Sequence, residues 1–467
     1  MELKVKTELY DYQQEAVSKL SRVTVGALYM EMGTGKTRTA LELIRKRAQK
    51  DKINHIIWLC PFSIKTDVER NIQKHMEIPK ELLTICGIES LSSSHKTVEQ
   101  ILDLAMVKEC YLIVDESNLV KNPFAIRSQN TLRVAQNCKY KLLLNGTPIT
   151  KTEADLFSQW QILDWRILGY RSYYSFAANH LEFDDKYRNK IRRVLNVDYL
   201  TDKISPYTYQ VRKDECLNLP NKRYVTHYFS LTDEQKEHYL TVAYDFLSPS
   251  RLIDNTFEDA LIYRTFTALQ QITSGERIIT SASQPIKHEP FFKNIESNPR
   301  ITALLNVMSS FSKEKVIIFC RFLHEIESIY TVLSRHGYSC QINHGGLTKA
   351  RRQYALDEFE KHDQVLISSK SCASYGLNLQ FCSNIIYYNN DWDWGTRVQS
   401  EDRIHRIGQQ HPITIVDLCA SSKIDERIQY SLSRKECLTD RFKKQLGKKN
   451  LIKWLGMEEE NDTNRIN

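Results

Sequence analysis

The sequence predicts two parallel α/β domains in tandem, and two observations carry that expectation. Short apolar runs alternate with amphipathic segments over residues 1–165, and the same alternation returns over residues 301–440. In the first stretch the strands are read at VGALYM (Val25–Met30), HIIWLC (His55–Cys60), CYLIVD (Cys110–Asp115) and KLLLNG (Lys141–Gly146), with an amphipathic helix over TRTALELIRKRAQ (Thr37–Gln49). Residues 166–300 are rich in Tyr, Arg and Lys and turn helical around LTDEQKEHYLTVAYDFL (Leu231–Leu247), so this region is expected to be a helical protrusion and linker without strands. In the second stretch five further strands are expected: KVIIFC (Lys315–Cys320), YSCQIN (Tyr338–Asn343), QVLISS (Gln364–Ser369), NIIYYN (Asn384–Asn389) and ITIVDL (Ile413–Leu418). Residues 441–467 start basic and end acidic, and are read as a tail with a frayed end.

The composition narrows the class. At 467 residues, 41% hydrophobic and 26% charged, the chain is long enough for several buried cores, and no apolar run approaches the ~18 residues of a membrane span. The opening MELKVKTELYDYQQ reads as no secretory signal, so the protein is expected in the cytoplasm of a bacterial or phage-type host cell, or in the nucleus of a eukaryotic one. Eleven cysteines with no CxxC pair and no zinc-type Cys/His spacing are read as reduced thiols. A net charge of +8 fits a polyanionic partner without specifying one.

The strongest local signal is MEMGTGKT, Met30–Thr37, which follows an apolar strand and precedes a helix, as a phosphate-binding loop requires. Gly33 and Gly35 let backbone N–H groups wrap phosphate oxygens, Lys36 supplies a charge to the β and γ phosphates, and Thr37 offers a hydroxyl to Mg²⁺. Met32, Thr34 and Arg38 complete the expected nucleotide-binding stretch, and Met30 stands where the usual pattern has its first glycine. A second signal is the acidic pair Asp115–Glu116 ending CYLIVDE. Asp115 is expected to hold Mg²⁺ with Thr37, and Glu116 to act as general base on the attacking water.

Beyond Glu116 the motifs accumulate in order: LYDYQQEAV, MEMGTGKT, WLCPFSIKTDVERNIQK, YLIVDESNLVKNPFAIRSQ, LLLNGTPITKTEADLF, KVIIFCRF, SSKSCASYGLNLQ and DWDWGTRVQSEDRIHRIGQQ. Together they resemble a superfamily two helicase-like ATPase of the Swi/Snf type, with QSEDRIHRIGQ (Gln399–Gln409) the most specific element. The resemblance implies two RecA-like lobes with helical insertions between them, ATP bound by the first lobe and completed by the second, Mg²⁺ as cofactor, and DNA, in duplex form, as partner. It matches Tyr12 and Gln13 to the family's adenine-side pair, and Gly146, Thr147 and Pro148 to the segment coupling hydrolysis to nucleic-acid contact. It matches Gln399, Arg403 and Arg406 to the second-lobe catalytic motif, in which both arginines resemble arginine fingers; if helical, they share a face.

By the same resemblance Pro61–Lys65, Gly146–Pro148, Gly345, Gly346, Ser369 and Lys370 lie along the nucleic-acid track. The departures are Asn118 in DESN, expected to bridge to the GTP segment through its amide, Ala373–Ser374 in place of paired glycines, and Gly395–Thr396 in place of Asn-Pro. Aromatics and cations mix over Tyr170–Arg193, read as a solvated face before a direct contact. Trp392 and Trp394 are read as packing residues, His344 as a loop hydrogen-bonding residue, and the KKQLGKKNLIK segment as a brace or DNA contact. The whole reads as a monomeric ATP-dependent duplex DNA translocase, without a membrane role and served by a targeting protein partner. Strand separation or annealing at forks or RNA:DNA hybrids, and a nucleotide-gated DNA clamp, stay open as alternatives.

Overall fold

The computed structural model describes residues 3–50, 53–146, 148–149, 152–184, 191–247, 259–281, 284–373, 379–392 and 394–434. The chain divides into two compact units, Met1–Leu219 and Pro220–Asn467.

The first unit is built on a six-stranded sheet in the order Thr208–Val211, Val25–Met30, Tyr140–Asn145, Cys110–Asp115, His55–Cys60, Leu83–Gly87. Every pairing in it is parallel. Parallel strands joined by helical crossovers are covered on both faces, so their side chains are apolar in both directions. Val25–Met30, His55–Cys60 and Cys110–Asp115 are accordingly buried at every position. Two apolar clusters, one on each face, pack helices onto this sheet. One is centred on Leu41, Ile44, Trp58 and Leu144, the other on Leu59, Leu112, Leu143 and Trp160.

The second unit repeats the plan, again with six parallel strands: Lys222–Phe229, Ile413–Ala420, Asn384–Tyr387, Val316–Cys320, Val365–Ser369, Cys340–Asn343. Helices Pro299–Met308 and Leu323–Arg335 bury Leu304, Ile326 and Ile329 against it. A pair of helices, Asp233–Leu247 and Asp259–Thr273, forms a separate cluster through Phe246, Phe266 and Leu269, joined by Ile428 of the helix Lys423–Ser433. The hairpin Glu276–Ile278/His288–Pro290 follows this pair.

All nine strands expected from apolar runs form. The region 166–300 differs from the expectation, because it supplies an edge strand to each sheet, Thr208–Val211 to the first and Lys222–Phe229 to the second, besides the small hairpin Leu181–Phe183/Ile191–Val194. The break between units falls between these edge strands. Leu83–Gly87, at the other edge of the first sheet, also went unread. Edge strands are partly solvated and need no continuous apolar run, which is why TYQV and KRYVTHYF escape a search for one. Among the described residues no helix is long and apolar enough to cross a membrane. The ten described cysteines are free thiols.

Candidate nucleotide-binding site

The carboxyl ends of parallel strands in such a sheet share one rim. The strand Val25–Met30 runs into the loop Glu31–Gly35 and the helix Lys36–Lys50. Gly33 and Gly35 take φ of 86° and 85°, left-handed values that a side chain rarely adopts. Lys36 Nζ donates to the Met30 carbonyl at 3.0 Å, closing the loop on itself. Thr34 Oγ1 donates to the Glu31 carbonyl at 2.7 Å.

The Tyr12–Gln13 pair meets this loop directly. Tyr12 Oη and Gln13 Nε2 both donate to the Thr34 carbonyl, at 2.9 and 3.0 Å. Gln13 Oε1 accepts from the Tyr10 N–H at 3.1 Å, so the amide is fixed at both ends. A methyl group on Gly35 would lie 2.3 Å from Gln13 Nε2. These two residues therefore set the shape of the loop, beyond the adenine contact that the resemblance implies for them.

Arg38 departs from its expected place beside a nucleotide. Its Nε donates to the Thr7 carbonyl at 3.0 Å and its Nη1 to Glu42 Oε2 at 3.1 Å, so the buried guanidinium anchors the N-terminal segment to the helix. A residue two positions past the loop lysine has already turned towards another face of the helix.

Asp115 and Glu116 end the strand Cys110–Asp115, one strand removed from Val25–Met30 across Tyr140–Asn145. Asp115 is 7% exposed. Burial, and then the neighbouring Glu116, push its carboxyl up to about 7, against the opposing pull of the Lys36 ammonium. That coupling places the loop lysine and the acidic pair in one electrostatic environment. Glu116 adopts φ 51°, one of two non-glycine residues with positive φ among those described, and its N–H donates to Asp115 Oδ1 at 3.0 Å. The left-handed backbone carries strain of about 1–3 kcal/mol, of the kind concentrated at functional positions.

Asn118 Oδ1 has no hydrogen-bond partner among the described residues, and Thr147, in the segment it is expected to bridge to, lies outside them. Among the described residues a connection to that segment runs through Ser117. Ser117 Oγ donates to Gln159 Oε1 at 2.5 Å and accepts from Asn145 Nδ2 at 3.3 Å, and Gln159 Nε2 donates to the Pro148 carbonyl at 2.9 Å. Ser117 and Gln159 are the residues that sequence reading missed, and the one signal for Gln159 is a polar residue within the largely apolar stretch LFSQWQIL. Thr147 lies outside the described residues, as do Ser374, most of the basic run Lys186–Arg193, and the tail 441–467.

The second-unit residues sit on a framework of buried charge. Helix Trp394–Glu401 carries Gln399 and is held by Arg397, which is 3% exposed. Arg397 donates to Asp417 Oδ1 and Oδ2 at 2.6 and 3.0 Å, to Asn390 Oδ1 at 2.7 Å and to Glu401 Oε1 at 2.9 Å. Glu401 in turn accepts from Lys222 Nζ at 2.9 Å and Tyr224 Oη at 2.8 Å, fastening the edge strand. The helix ends at Glu401, so Arg403 and Arg406 lie in the turns that follow and do not share a helical face. Burial draws the Arg406 guanidinium below its ordinary value, opposed by Asp402.

Among the expected nucleic-acid contacts, Phe62–Lys65 and Gly345–Gly346 are largely exposed, whereas Ser369 and Lys370 are buried and present no surface. Trp392 packs, with Arg321 3.5 Å over its ring and Phe266 at 6.0 Å. His344 Nδ1 accepts from the Gly346 N–H at 3.2 Å within its loop.

Three family models match the chain: the type III restriction enzyme, res subunit, over residues 6–149, the SNF2-related domain over 83–289, and the helicase conserved C-terminal domain over 299–408. An uncharacterized ATP-dependent helicase of Mycoplasma genitalium is 24% identical over 468 residues, covering 95% of this chain and 42% of its own length. An ISWI chromatin-remodeling complex ATPase of Arabidopsis thaliana is 23% identical over 470 residues, covering 91% of this chain and 42% of its own. The chain thus spans less than half the length of these curated relatives. A solved Sulfolobus solfataricus SWI2/SNF2 ATPase core in complex with dsDNA aligns at 19% identity and a TM-score of 0.40, over 97% of this chain and 98% of that one. The SNF2-related and helicase C-terminal models match in succession, and they support the resemblance of this chain to the Swi/Snf type of superfamily two helicase-like ATPases.

Proposed function

We propose that this chain is an ATP-driven motor that tracks along duplex DNA, hydrolysing ATP to ADP and phosphate. The observation that supports it most is the meeting of Lys36, Asp115 and Glu116 on one rim of the first sheet, in a chain with this resemblance. Gly33, Thr34, Gly35 and Lys36 hold the β and γ phosphates, and Tyr12 and Gln13 keep the loop in its binding shape. The donor set fits Mg²⁺: Thr37 brings a hydroxyl, and Asp115 is a buried carboxylate whose charge burial penalises and a dication would favour. Bound there, the ion neutralises charge on the β and γ phosphates.

Glu116 orients a water and takes its proton as the water oxygen attacks the γ phosphorus. The bond from that phosphorus to the β–γ bridging oxygen breaks, and ADP leaves. On the motif they carry, Gln399, Arg403 and Arg406 are assigned to stabilising the charge that develops, a role worth roughly 10³ to 10⁵ in rate for an arginine finger. The largely exposed helical turn Phe62–Lys65 and the Gly345–Gly346 turn are assigned to the DNA backbone, where grip is independent of sequence. Targeting to particular sites is assigned to a separate protein partner.

The test is steady-state ATP hydrolysis without nucleic acid and with duplex DNA, single-stranded DNA or RNA, at matched nucleotide concentration and fixed low salt. Strong stimulation by duplex alone, followed by displacement of a triplex strand, is the expected result. Stimulation chiefly by single strands or RNA would replace the translocase with a strand-separating helicase. A stable ATP-bound DNA complex with little turnover would replace it with a clamp.

A further inference from the structure

We propose that Glu276, His288 and His324 form a binding site for one divalent transition metal ion, Zn²⁺ foremost, that clasps the hairpin Glu276–Ile278/His288–Pro290 to the helix Leu323–Arg335. The three residues come from three separate elements of the second unit and belong to none of the motifs assigned to nucleotide or DNA. In the hairpin register Glu276 faces Pro290 and Ile278 faces His288. Glu276 and His288 are therefore diagonal neighbours on one face of the ribbon. His324 enters from the first turn of the helix that follows strand Val316–Cys320.

One ligand atom from each residue lies within 4.8 Å of the others. Glu276 already reaches both histidines, with Oε2 2.7 Å from His288 Nδ1 and Oε1 3.7 Å from His324 Nε2. Ligands in a tetrahedron around Zn²⁺, at bonds near 2.0–2.1 Å, stand about 3.4 Å apart. Only a modest contraction separates the observed cluster from that geometry.

A second observation points the same way. His324 Nε2 is shielded from solvent and has no hydrogen-bond partner among the described residues, so a ring nitrogen is aimed into the cluster with nothing to bond. The Phe322 ring stacks on the imidazole at 5.6 Å and 12°, fixing its plane. Two imidazoles and one carboxylate form a donor set for Zn²⁺ rather than for Mg²⁺ or Ca²⁺, with water in the fourth position.

The hairpin is also tied to the helix Asp233–Leu247, through the Ile278 N–H donating to His238 Nε2 at 3.0 Å and Arg277 pairing with Glu234 at 2.7 Å, and Ile278 joins the apolar cluster of the helical pair. A metal bridging to His324 would couple this helical pair to the helix flanking the central sheet.

The test is metal content and affinity of the intact chain after chelation and desalting. Wild type is expected to take up one Zn²⁺ per chain from a buffered Zn²⁺ series, to take Co²⁺ with the absorption of a tetrahedral site, and to melt at a higher temperature when loaded. Glu276→Gln and His288→Asn/His324→Gln are each expected to lose at least about tenfold in affinity. X-ray absorption of Zn²⁺-loaded wild type should show nitrogen and oxygen ligands with imidazole scattering, a readout that needs no variant to fold. Equal uptake by the variants, sulfur in the coordination shell, or no stoichiometric uptake by wild type would each overturn the proposal.

Discussion

Asp115 shows what a single buried carboxylate does before any ligand arrives. Its folded value near 7 lies above the ordinary 3.8, so the folded protein holds that proton more tightly than the unfolded chain. This contribution to stability is complete below about pH 4 and is lost as pH rises through 7. Without Mg²⁺ or nucleotide, the stability advantage of Asp115→Asn over wild type should therefore widen between pH 4 and 7 and then level off. Denaturant melts of both proteins across that range measure it, and a constant gap would contradict the raised value. Glu116→Gln should keep nucleotide binding while lowering turnover at least about 10²-fold, the scale of a lost general base, in a single-turnover assay. Glu116→Asn should lose turnover equally yet match or exceed wild type in thermal stability, because asparagine tolerates the left-handed backbone that strains glutamate. The phosphate-loop and acidic residues were legible because their chemistry demands fixed types at fixed spacing. Ser117 and Gln159 were not: their pairing joins residues 42 positions apart, and no local pattern announces it.

At the scale of elements, the second unit turns on Arg300 in the helix Pro299–Met308. It is fully buried and pairs with Asp425 of helix Lys423–Ser433. Its Nε also donates to the Thr273 carbonyl at 3.0 Å and its Nη1 to the Leu418 carbonyl at 3.3 Å. One side chain thus joins three helices and a strand. Breaking such a pair from one side leaves a buried charge, so Arg300→Met should cost about 3–5 kcal/mol, and the double change with Asp425→Leu should recover part of it. Equilibrium unfolding of the intact chain distinguishes the two. The central strands were legible since burial on both faces leaves an unbroken apolar run. Helix Lys36–Lys50 was legible from its amphipathic period. The end of helix Trp394–Glu401 was not, because RIHRIGQ continues a helical-looking pattern until tighter turn hydrogen bonds, such as Ile404 N–H to the Glu401 carbonyl at 3.1 Å and Gln409 N–H to the Arg406 carbonyl at 3.0 Å, replace it.

For the whole molecule, the boundary between units makes a direct prediction about fragments. A piece ending at residue 219 keeps Thr208–Val211 paired with Val25–Met30 and should fold, bind nucleotide and melt cooperatively. A piece ending at residue 165, where the sequence pattern suggested the first domain would close, lacks that strand and should be poorly soluble and bind nucleotide weakly. Circular dichroism and fluorescent-nucleotide titration of the two pieces check this. The same strand order has a consequence for synthesis. Val25–Met30 finds its neighbour Tyr140–Asn145 long before Thr208–Val211 has been made, with ~60 residues still to be translated. At about 5–20 residues per second, the strand leading into the phosphate loop waits roughly 3–12 s on the ribosome with one flank unpaired. An apolar strand flank open for that long is a target for holding chaperones and for misassembly between neighbouring nascent chains. Slowing translation over residues 146–207 should therefore lower the yield of soluble protein more than slowing it after residue 211.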